Sequence, residues 1–342
     1  MFEIIDPSKT VNYDEMVLST SGASFFHTSA WARVLVESYG YKPHYFAIQD
    51  GDSFSALVPC MEINSFLTGK RGVSLPFTDY CKQLIRDERD LGKIFEEIVS
   101  HGVKAGWRSI EIRDSLCRSD SKSSSHFYGH TLDLARNYDT IAASFRSSTR
   151  RNTAKALKSG ITIQIGTTPD AIERFYRLNC LTRRDHGLPP QPLLFFRKIQ
   201  EHIISLQHGI VVLATYAGRT IAGAVYFHFN GKAVYKFGAS DSRYRHLRAN
   251  NLVMAEAIRQ LSEHGCQSLC FGRTEPGNKG LLQFKSGWGA VERRIDYYKF
   301  DIQKETFIEE KSKLHGMHNK IFGSMPISLL RMCGRLLYRH VG

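Results

Sequence analysis

The sequence predicts a mixed α/β protein of the α+β kind. Segments of helical periodicity alternate with short apolar segments along its 342 residues, which is the pattern of a sheet covered by helices. Residues 210–300 follow the order strand, strand, strand, helix, strand, short helix, strand. The hydrophobic content of 42% is enough for a folded core, and the length allows two domains.

Residues 1–138 are predicted to form the first domain. Ser29 is placed to cap a helix over residues 30–38. A second helix is predicted over residues 87–105, because its apolar residues recur at helical spacing. Residues 50–52, Asp-Gly-Asp, are a typical hairpin turn. The predicted strands are 45–48, 54–63, 72–77, 109–113 and 126–134.

Residues 139–304 are predicted to form the second domain. It begins with a basic helix over residues 141–159 that ends at Gly160. The turns at residues 217–219 and 230–231 have hairpin chemistry. Further helices are predicted at 169–186, 192–207 and 252–264, and strands at 161–165, 210–216, 221–230, 233–239, 268–271 and 295–302.

Residues 266–290 carry the strongest candidate for a functional site. A short apolar strand leads into a glycine-rich loop over residues 272–280, and an amphipathic turn with Phe284 and Lys285 follows. A strand, a glycine loop and a helix in this order form ligand sites at the carboxyl end of the strand. Glycine also lets a ligand approach the backbone closely. We therefore predict an anion-binding and catalytic cluster from the charged residues here, Arg273, Glu275, Lys279 and Lys285.

The charge balance favours an anionic partner. A net charge of +13 attracts nucleic acid, phosphate-bearing substrates or an anionic membrane surface. The seven cysteines include no C-x-x-C pair, so reduced thiols in a cytoplasmic protein are expected. The histidines follow no metal-ligand spacing, and we expect no metal.

The C-terminal tail leaves two interpretations open. Residues 305–342 are predicted as a basic, amphipathic helical tail. Through residues 325–342 it either lies on an anionic membrane at the inner face or docks on the body of the protein. No segment approaches the ~20 apolar residues that span a bilayer. The first ten residues lack the pattern of a secretory signal.

Residues 139–300 resemble the Fem-type peptidyltransferases and their FemAB-like acyltransferase relatives, which are built on the GNAT fold. The matching segments are FRSSTRRNTAKALKSG (145–160), TRRDHGLPPQPLLFF (182–196), IAGAVYFHFNGKAVYKFGAS (221–240), LVMAEAIRQLSEHG (252–265) and FGRTEPGNKGLLQFKSGWG (271–289). The resemblance implies tandem GNAT-like (acyl-CoA N-acyltransferase) domains, of which the first, residues 1–138, is degenerate.

The resemblance also implies that a substrate amine attacks an activated acyl group. The donor is aminoacyl-tRNA in true Fem enzymes and acyl-CoA in most GNAT enzymes, and the implied acceptor is an amine of a cell-envelope, peptidoglycan or exopolysaccharide precursor. Acyl-CoA-binding GNAT enzymes carry a Q/R-x-x-G-x-G/A loop before the helix that follows the meander. Here residues 245–250 read RHLRAN and have no glycine pair, so the donor stays open.

Lys285 and Arg273 are the predicted catalytic residues. Phe284 and Trp288 are expected to half-bury Lys285, whose ammonium group then stabilises a developing oxyanion. The alternative is a lysine whose stem packs on Trp288. Arg273 either clamps a phosphate or carboxylate or pairs with an acid, Glu275 or Asp241.

The donor is predicted to bind before the helix at residues 252–264. Free N–H groups at a helix N-terminus suit a phosphate. The predicted donor-binding residues are Arg245, His246, Arg248, Asn250 and Asn251. The alternative is a solvated basic loop.

The acceptor is predicted to contact cations around this site. His186 either deprotonates the amine or only caps a helix end, and the helix with Arg151 and Lys155 is either an anion site or a solvated face. The predicted substrate-binding residues are Arg151, Lys155, Arg183, Arg184, His186, Glu275, Lys279 and Trp288. The alternative functions are a tRNA-binding or other nucleic-acid-binding protein, supported by net charge alone, and a membrane-docked protein without activity.

Overall fold

The structure is a computed structural model that describes residues 2–114, 122–309 and 317–342. It divides into two compact units. The first takes the described residues of Met1–Phe127, Arg294–Ser312 and Leu336–Gly342, and the second takes those of Tyr128–Arg293 and Lys313–Arg335. Each unit combines distant parts of the chain, whereas the predicted segments 1–138, 139–304 and 305–342 are consecutive.

The N-terminal part of the chain supplies the first elements of both units. Its elements are β1 (Phe2–Ile5), α1 (Tyr13–Ser19), α2 (Ser29–Tyr39), β2 (Lys42–Pro43), β3 (Tyr45–Asp50), β4 (Ser53–Val58), β5 (Met61–Ser65), β6 (Gly69–Ser74), β7 (Leu84–Ile85), α3 (Glu88–Ala105), β8 (Ser109–Arg113) and β9 (Ser125–Asp133). Asp87 caps α3 by accepting a hydrogen bond from the Arg89 N–H. Gly40 and Gly106 end α2 and α3 in the left-handed conformation.

The remaining elements follow from residue 138. They are α4 (Tyr138–Ala143), α5 (Ser147–Lys158), β10 (Thr162–Gly166), α6 (Pro169–Asp185), α7 (Leu193–Ile199), β11 (Gly209–Tyr216), β12 (Arg219–Phe229), β13 (Lys232–Ser240), α8 (Ala249–Glu263), β14 (Ser268–Thr274), α9 (Lys279–Ser286), β15 (Val291–Asp301), β16 (Thr306–Phe307), α10 (Met317–Ser324) and α11 (Ile327–Leu337). A 3₁₀ turn, Ser242–Leu247, precedes α8 and is called the basic turn below.

Several predicted elements differ in their bounds. The helix predicted over 141–159 is divided into α4 and α5, and the strand predicted over 54–63 is divided into β4 and β5. The helix predicted over 192–207 is broken, because α7 ends at Ile199 and Gln200–Ile204 continue as a π-helical turn. The strand predicted over 268–271 continues to Thr274. Arg273 therefore lies in β14, and the loop after β14 begins at Glu275 instead of Gly272.

The first unit contains two sheets. One has the order β1-β3-β4-β7, and the other has the order β15-β8-β6-β5-β2. β6 and β8 run parallel, with Arg71–Ser74 opposite Ser109–Ile112, whereas β5 and β6 are antiparallel. A parallel pair next to an antiparallel meander needs a crossover, which α3 provides.

The second unit has one sheet in the order β10-β11-β12-β13-β14-β9. β13 and β14 are its parallel pair, and α8 is the crossover between them. Its other pairs are antiparallel. The prediction of a mixed α/β fold is confirmed.

The chain passes from one unit to the other within β9 and again within β15. β9 follows β8, but its residues from Tyr128 onward belong to the second unit, where they pair with β14. β15 follows α9, but its residues Tyr297–Asp301 belong to the first unit, where they pair with β8. Because the chain passes between the units in this way, both units are discontinuous in sequence.

Helices cover both faces of the second unit's sheet. Ala222, Ala224 and Tyr226 pack with α8 in one buried cluster. Gly223 alternates with them and faces α6, where an added Cβ would lie 3.4 Å from the Phe175 ring. Because successive strand residues point to opposite faces, this alternation places the two helices on opposite sides of the sheet.

The end of the chain is fixed to the first unit. The Tyr41 hydroxyl donates hydrogen bonds to the Tyr338 and Val341 carbonyl oxygens, and the Arg71 guanidinium donates to the His340 carbonyl oxygen. The predicted tail is therefore partly docked. Its residues 310–316 and Cys117 lie outside the described residues. The six described cysteines are free thiols, and no helix in the described ranges could cross a bilayer.

Candidate active site

β13 and β14 separate after a short parallel contact. They pair only over Lys232–Val234 and Ser268–Cys270, although β13 continues to Ser240 and β14 to Thr274. The backbone groups that face this gap lack a ladder partner on the opposite strand. Apart from the Gly272 and Arg273 carbonyl oxygens, which Lys285 binds, such groups can pair with an extended ligand.

Both strands carry a bulge near the point of separation. In β13, Lys236 is skipped, since Val225 pairs with Phe237 and Tyr226 pairs with Tyr235. In β14, the register with β9 shifts between Cys270 and Arg273. Bulges bend a strand and increase its twist, so they account for the opening.

A pocket of about 240 Å³ lies where β13 ends. Ser240, the basic turn, the first turn of α8 and Phe284 line it. Four of the five predicted donor-binding residues come together here, namely Arg245, Arg248, Asn250 and Asn251. The fifth, His246, is exposed and does not line the pocket. We call this the donor pocket.

Local backbone chemistry shapes the donor pocket. The Asp241 carboxylate accepts hydrogen bonds from the Arg243 N–H and guanidinium and so caps the basic turn. The hydrogen bond from Arg243 lowers the Asp241 pKa, which keeps this carboxylate ionised and paired. Arg248 joins the turn to α8 in the left-handed conformation, with φ of 61°. The Asn250 side-chain amide donates to the Ser240 hydroxyl.

Residues 143–286 match the family model of an acetyltransferase (GNAT) domain. This segment contains the gap between β13 and β14, the basic turn and α9. The chain contains a GNAT acetyltransferase domain. No curated protein sequence matches the chain.

Several solved structures share the fold over most of the chain. The structure of FemX superposes with a TM-score of 0.67 at 13% identity, covering 86% of this chain and 96% of that chain. The C-terminal domain of a putative lysylphosphatidylglycerol synthetase from Agrobacterium fabrum has a TM-score of 0.55 at 13% identity, covering 79% and 86%. A tandem GNAT protein from the clavulanic acid biosynthesis pathway has a TM-score of 0.54 at 11% identity, covering 88% and 98%. The predictions of a tandem GNAT-like fold and of an acyltransferase are confirmed.

Lys285 is fully buried at the bulge of the GNAT domain's β14. Its side chain is 2% exposed, and Nζ donates to the carbonyl oxygens of Gly272, at 2.9 Å, and Arg273, at 3.1 Å. The expectation of a half-buried lysine facing an open cleft needs correction. The register shift frees strand carbonyl oxygens from the ladder, and the ammonium group binds them instead.

The other predicted residues of the glycine stretch lie in different surroundings. Arg273 is partly buried in β14, Glu275 is exposed in the loop after β14, and Lys279 is exposed at the start of α9. Asp241, one of the two predicted partners of Arg273, pairs with Arg243, and the role of Arg273 stays a prediction.

Trp288 belongs to the hydrophobic core. It is 0% exposed, and its ring packs against Phe145 and Phe284 at centroid distances of 4.9 and 5.9 Å. The prediction that Trp288 contacts substrate therefore needs correction. The indole instead anchors the C-terminal end of α9, which fixes the backbone that carries Lys285.

His130 on β9 was not among the predicted site residues. Its side chain is 0% exposed, and Nε2 lies 3.2 Å from a Glu292 carboxylate oxygen. Burial lowers the His130 pKa and the nearby Lys285 charge lowers it further, while Glu292 acts in the opposite direction. We therefore expect the His130 imidazole to be neutral in the presence of the nearby Lys285 charge. Its position in the alternating strand 126–134 was the one available signal.

The predicted acceptor residues fall into two groups. At the end of α6, Arg183 donates to the Pro189 carbonyl oxygen, and Arg184 lies one residue further along this helix. Burial lowers the His186 pKa, and Arg183 and Arg245 lower it further, so His186 lies within electrostatic reach of the donor pocket. Arg151 and Lys155 are exposed on α5 and do not line the donor pocket.

Proposed function

We propose that the chain is an N-acyltransferase that moves an acyl or aminoacyl group to an amine of a cell-envelope or exopolysaccharide precursor. The separation of β13 and β14, with the basic turn at the mouth of the gap, supports it most directly. An extended donor can pair with the free strand edges while its phosphate lies at the basic turn. The donor is acyl-CoA or aminoacyl-tRNA, as the Fem-like resemblance implies.

Transfer needs an activated acyl carbon held against a free amine. The amine nitrogen bonds to the acyl carbon, the bond from that carbon to the sulfur or ribose oxygen of the donor breaks, and the proton lost by the amine is balanced by the one that this leaving atom gains. Positioning in the gap supplies most of the acceleration. Lys285 supports the chemistry by holding the bulge that Gly272 and Arg273 form, and no covalent enzyme intermediate is required. The positive charge of Lys285 also favours negative charge that develops nearby.

A lipid-linked or phosphate-bearing acceptor fits the charge of the second unit. Arg151 and Lys155 are exposed on α5, and Arg183 and Arg184 add two more cations at the end of α6. The name of one similar structure, a lysylphosphatidylglycerol synthetase, points to transfer onto a lipid. We extend this acceptor class to the present chain.

The tail supports an inner-membrane location. One side of α11 is docked, since Leu330 is fully buried and the Arg331 guanidinium lies 5.3 Å from the Tyr176 ring centroid. Leu329, Met332 and Leu336 of the same helix are exposed. Apolar side chains beside arginines suit an anionic bilayer surface. The two predicted interpretations of the tail are therefore compatible.

The test combines donor binding with transfer. Acetyl-CoA or charged tRNA at about 100 times its Kd should stabilise the protein by about 2.7 kcal/mol and raise its Tm. Arg248→Asn removes one guanidinium from the donor pocket and keeps a residue that tolerates positive φ. The KM for the donor should rise about tenfold or more, as expected for one charge-assisted hydrogen bond.

Arg259→Gln is the matched control. Arg259 lies on the same helix but pairs with Glu256 and Glu263, so this variant should keep the wild-type KM. The proposal fails if neither donor raises the Tm or supports transfer to any amine acceptor. It also fails in its donor assignment if both variants behave alike.

A further inference from the structure

A second, larger cleft lies on the other side of the basic turn. Its volume is about 610 Å³, and α6, the β11–β12 turn and the basic turn enclose it. Its charged wall consists of four arginines and two aspartates, Arg174, Arg177, Arg219, Arg243, Asp170 and Asp241. We call it the arginine cleft. All of these residues belong to the second unit.

Two of the arginines already have partners. Arg243 pairs with Asp241. The Arg174 guanidinium donates to the Thr220 hydroxyl, the Thr215 hydroxyl and the Gln164 amide oxygen. These contacts hold Arg174 in place in the wall of the cleft. A guanidinium nitrogen of Arg174 also lies 3.8 Å from a carboxylate oxygen of the largely exposed Asp170. The hydrogen bonds of Arg174 also fix the floor of the cleft between α6 and the sheet.

Arg177 and Arg219 are the other two arginines of the cleft. Both are exposed, and neither guanidinium group donates a hydrogen bond to a residue in the described ranges. Arg219 is close enough to Asp241 to help lower its pKa, although Arg243 already occupies that carboxylate. Four arginines against two aspartates leave two positive charges, which is the charge of a site for a phosphate group.

The arginine cleft adjoins the donor pocket. Asp241 and Tyr244 line both of them, so the basic turn is a thin wall between two cationic sites. Leu178 and Leu181 add an apolar side to the cleft. A phosphate next to an aromatic ring and apolar side chains is the surrounding that a nucleotide needs.

We propose that the arginine cleft binds a phosphate group of the nucleotide part of the acyl donor, through Arg177 and Arg219. The inference rests on the proposed function, because it assigns the donor's first phosphate to the donor pocket. A donor anchored on both sides of the basic turn carries at least two phosphate positions. The 3′-phosphate of a coenzyme A donor and the backbone of an RNA donor both supply them.

The test uses the full-length double variant Arg177→Gln/Arg219→Gln. Its matched control is Arg136→Gln/Arg197→Gln, which removes two exposed arginines from other parts of the same unit. Equilibrium binding of CoA, 3′-dephospho-CoA and tRNA is measured by titration calorimetry or fluorescence anisotropy. No transfer reaction is needed, so a failure of the proposed chemistry cannot be confused with a failure of the site.

Each outcome decides one question. If CoA is the source, the double variant should bind CoA at least tenfold more weakly and lose the preference for CoA over 3′-dephospho-CoA. If RNA is the source, tRNA affinity should fall at least tenfold, and its salt slope should decrease by about one to two. The control should match the wild type in both cases.

The inference is overturned if the double variant binds CoA and tRNA as the wild type does. It is also overturned if the control weakens binding equally, since that shows only a loss of net charge, or if the wild type binds none of the three ligands. Weakened binding to anionic phospholipid vesicles alone would reassign the cleft to a membrane.

Discussion

Lys285 shows how one side chain can support both the fold and the chemistry of the site. Its ammonium group binds two carbonyl oxygens at the bulge of β14, one strand away from His130. A charge buried this deeply is costly unless it is hydrogen-bonded, and the two carbonyl oxygens supply those bonds. The same contacts hold the edge of the gap between β13 and β14 in place.

Lys285→Met should separate the structural from the catalytic contribution. Methionine nearly fills the volume but leaves two buried carbonyl oxygens unpaired, so the free energy of unfolding should fall by about 2–3 kcal/mol. Turnover should fall at least about 100-fold if the charge also favours the transition state. Chemical denaturation and single-turnover kinetics measure the two effects.

Lys93→Met is the control, since Lys93 is exposed on α3 and belongs to the first unit. It should leave both quantities near the wild-type values. A Lys285→Met protein with reduced stability but unchanged turnover would contradict a role for this charge in catalysis.

The sequence predicted the donor residues better than the residues around Lys285. Arg245, Arg248, Asn250 and Asn251 come together because they are neighbours at one helix start, and local order is enough to place them. The position of Lys285 depends on the register between β14 and β9, strands whose residues are far apart in the chain. The same holds for Trp288, because its burial depends on Phe145, which lies between α4 and α5 and is far away in the chain.

At the scale of elements, α11 shows how a glycine can set a helix contact. Gly334 faces the Pro190 carbonyl oxygen so closely that an added Cβ would lie 2.0 Å from it. The helix and the segment after α6 therefore touch backbone to backbone. The amphipathic pattern predicted the helix, but its partner could not be read from the pattern.

Gly334→Ala should loosen α11. The clash is with backbone, which cannot rotate away, so a loss of stability of about 1–3 kcal/mol is expected. Amide hydrogen exchange in α11 should become faster. Gly323→Ala is the control, because its Cβ would lie 3.6 Å from the nearest carbonyl oxygen, and alanine favours a helix. Equal exchange rates in the two variants would contradict this account of the contact.

At the scale of the whole molecule, the net charge of +13 and the exposed apolar side chains of α11 act together. In the proposed docking, long-range attraction brings the protein to an anionic surface, and the apolar side chains then hold it there. Composition alone predicted the attraction. The structure adds that the C-terminal residues are anchored to the first unit, so truncation is an unsuitable test.

Leu329→Glu/Met332→Glu should weaken binding to vesicles that contain phosphatidylglycerol by about tenfold in co-sedimentation. The wild type should bind more weakly as salt rises, because surface charges are screened. Leu194→Glu/Leu206→Glu changes two other exposed leucines and is the matched control. Wild-type binding that is equal for neutral and anionic vesicles would exclude this docking mode.

The order of the strands in the chain delays the completion of the first unit during synthesis on the ribosome. β8 ends at residue 113, but the strand that pairs with it begins at residue 291. At ordinary translation rates the nascent first unit waits roughly 10–35 s with an unpaired strand edge. Such an edge invites pairing with another chain. Faster elongation would shorten this interval, and a bound chaperone would shield the unpaired edge during it. The yield of folded protein should therefore depend more on the rate of translation than on temperature.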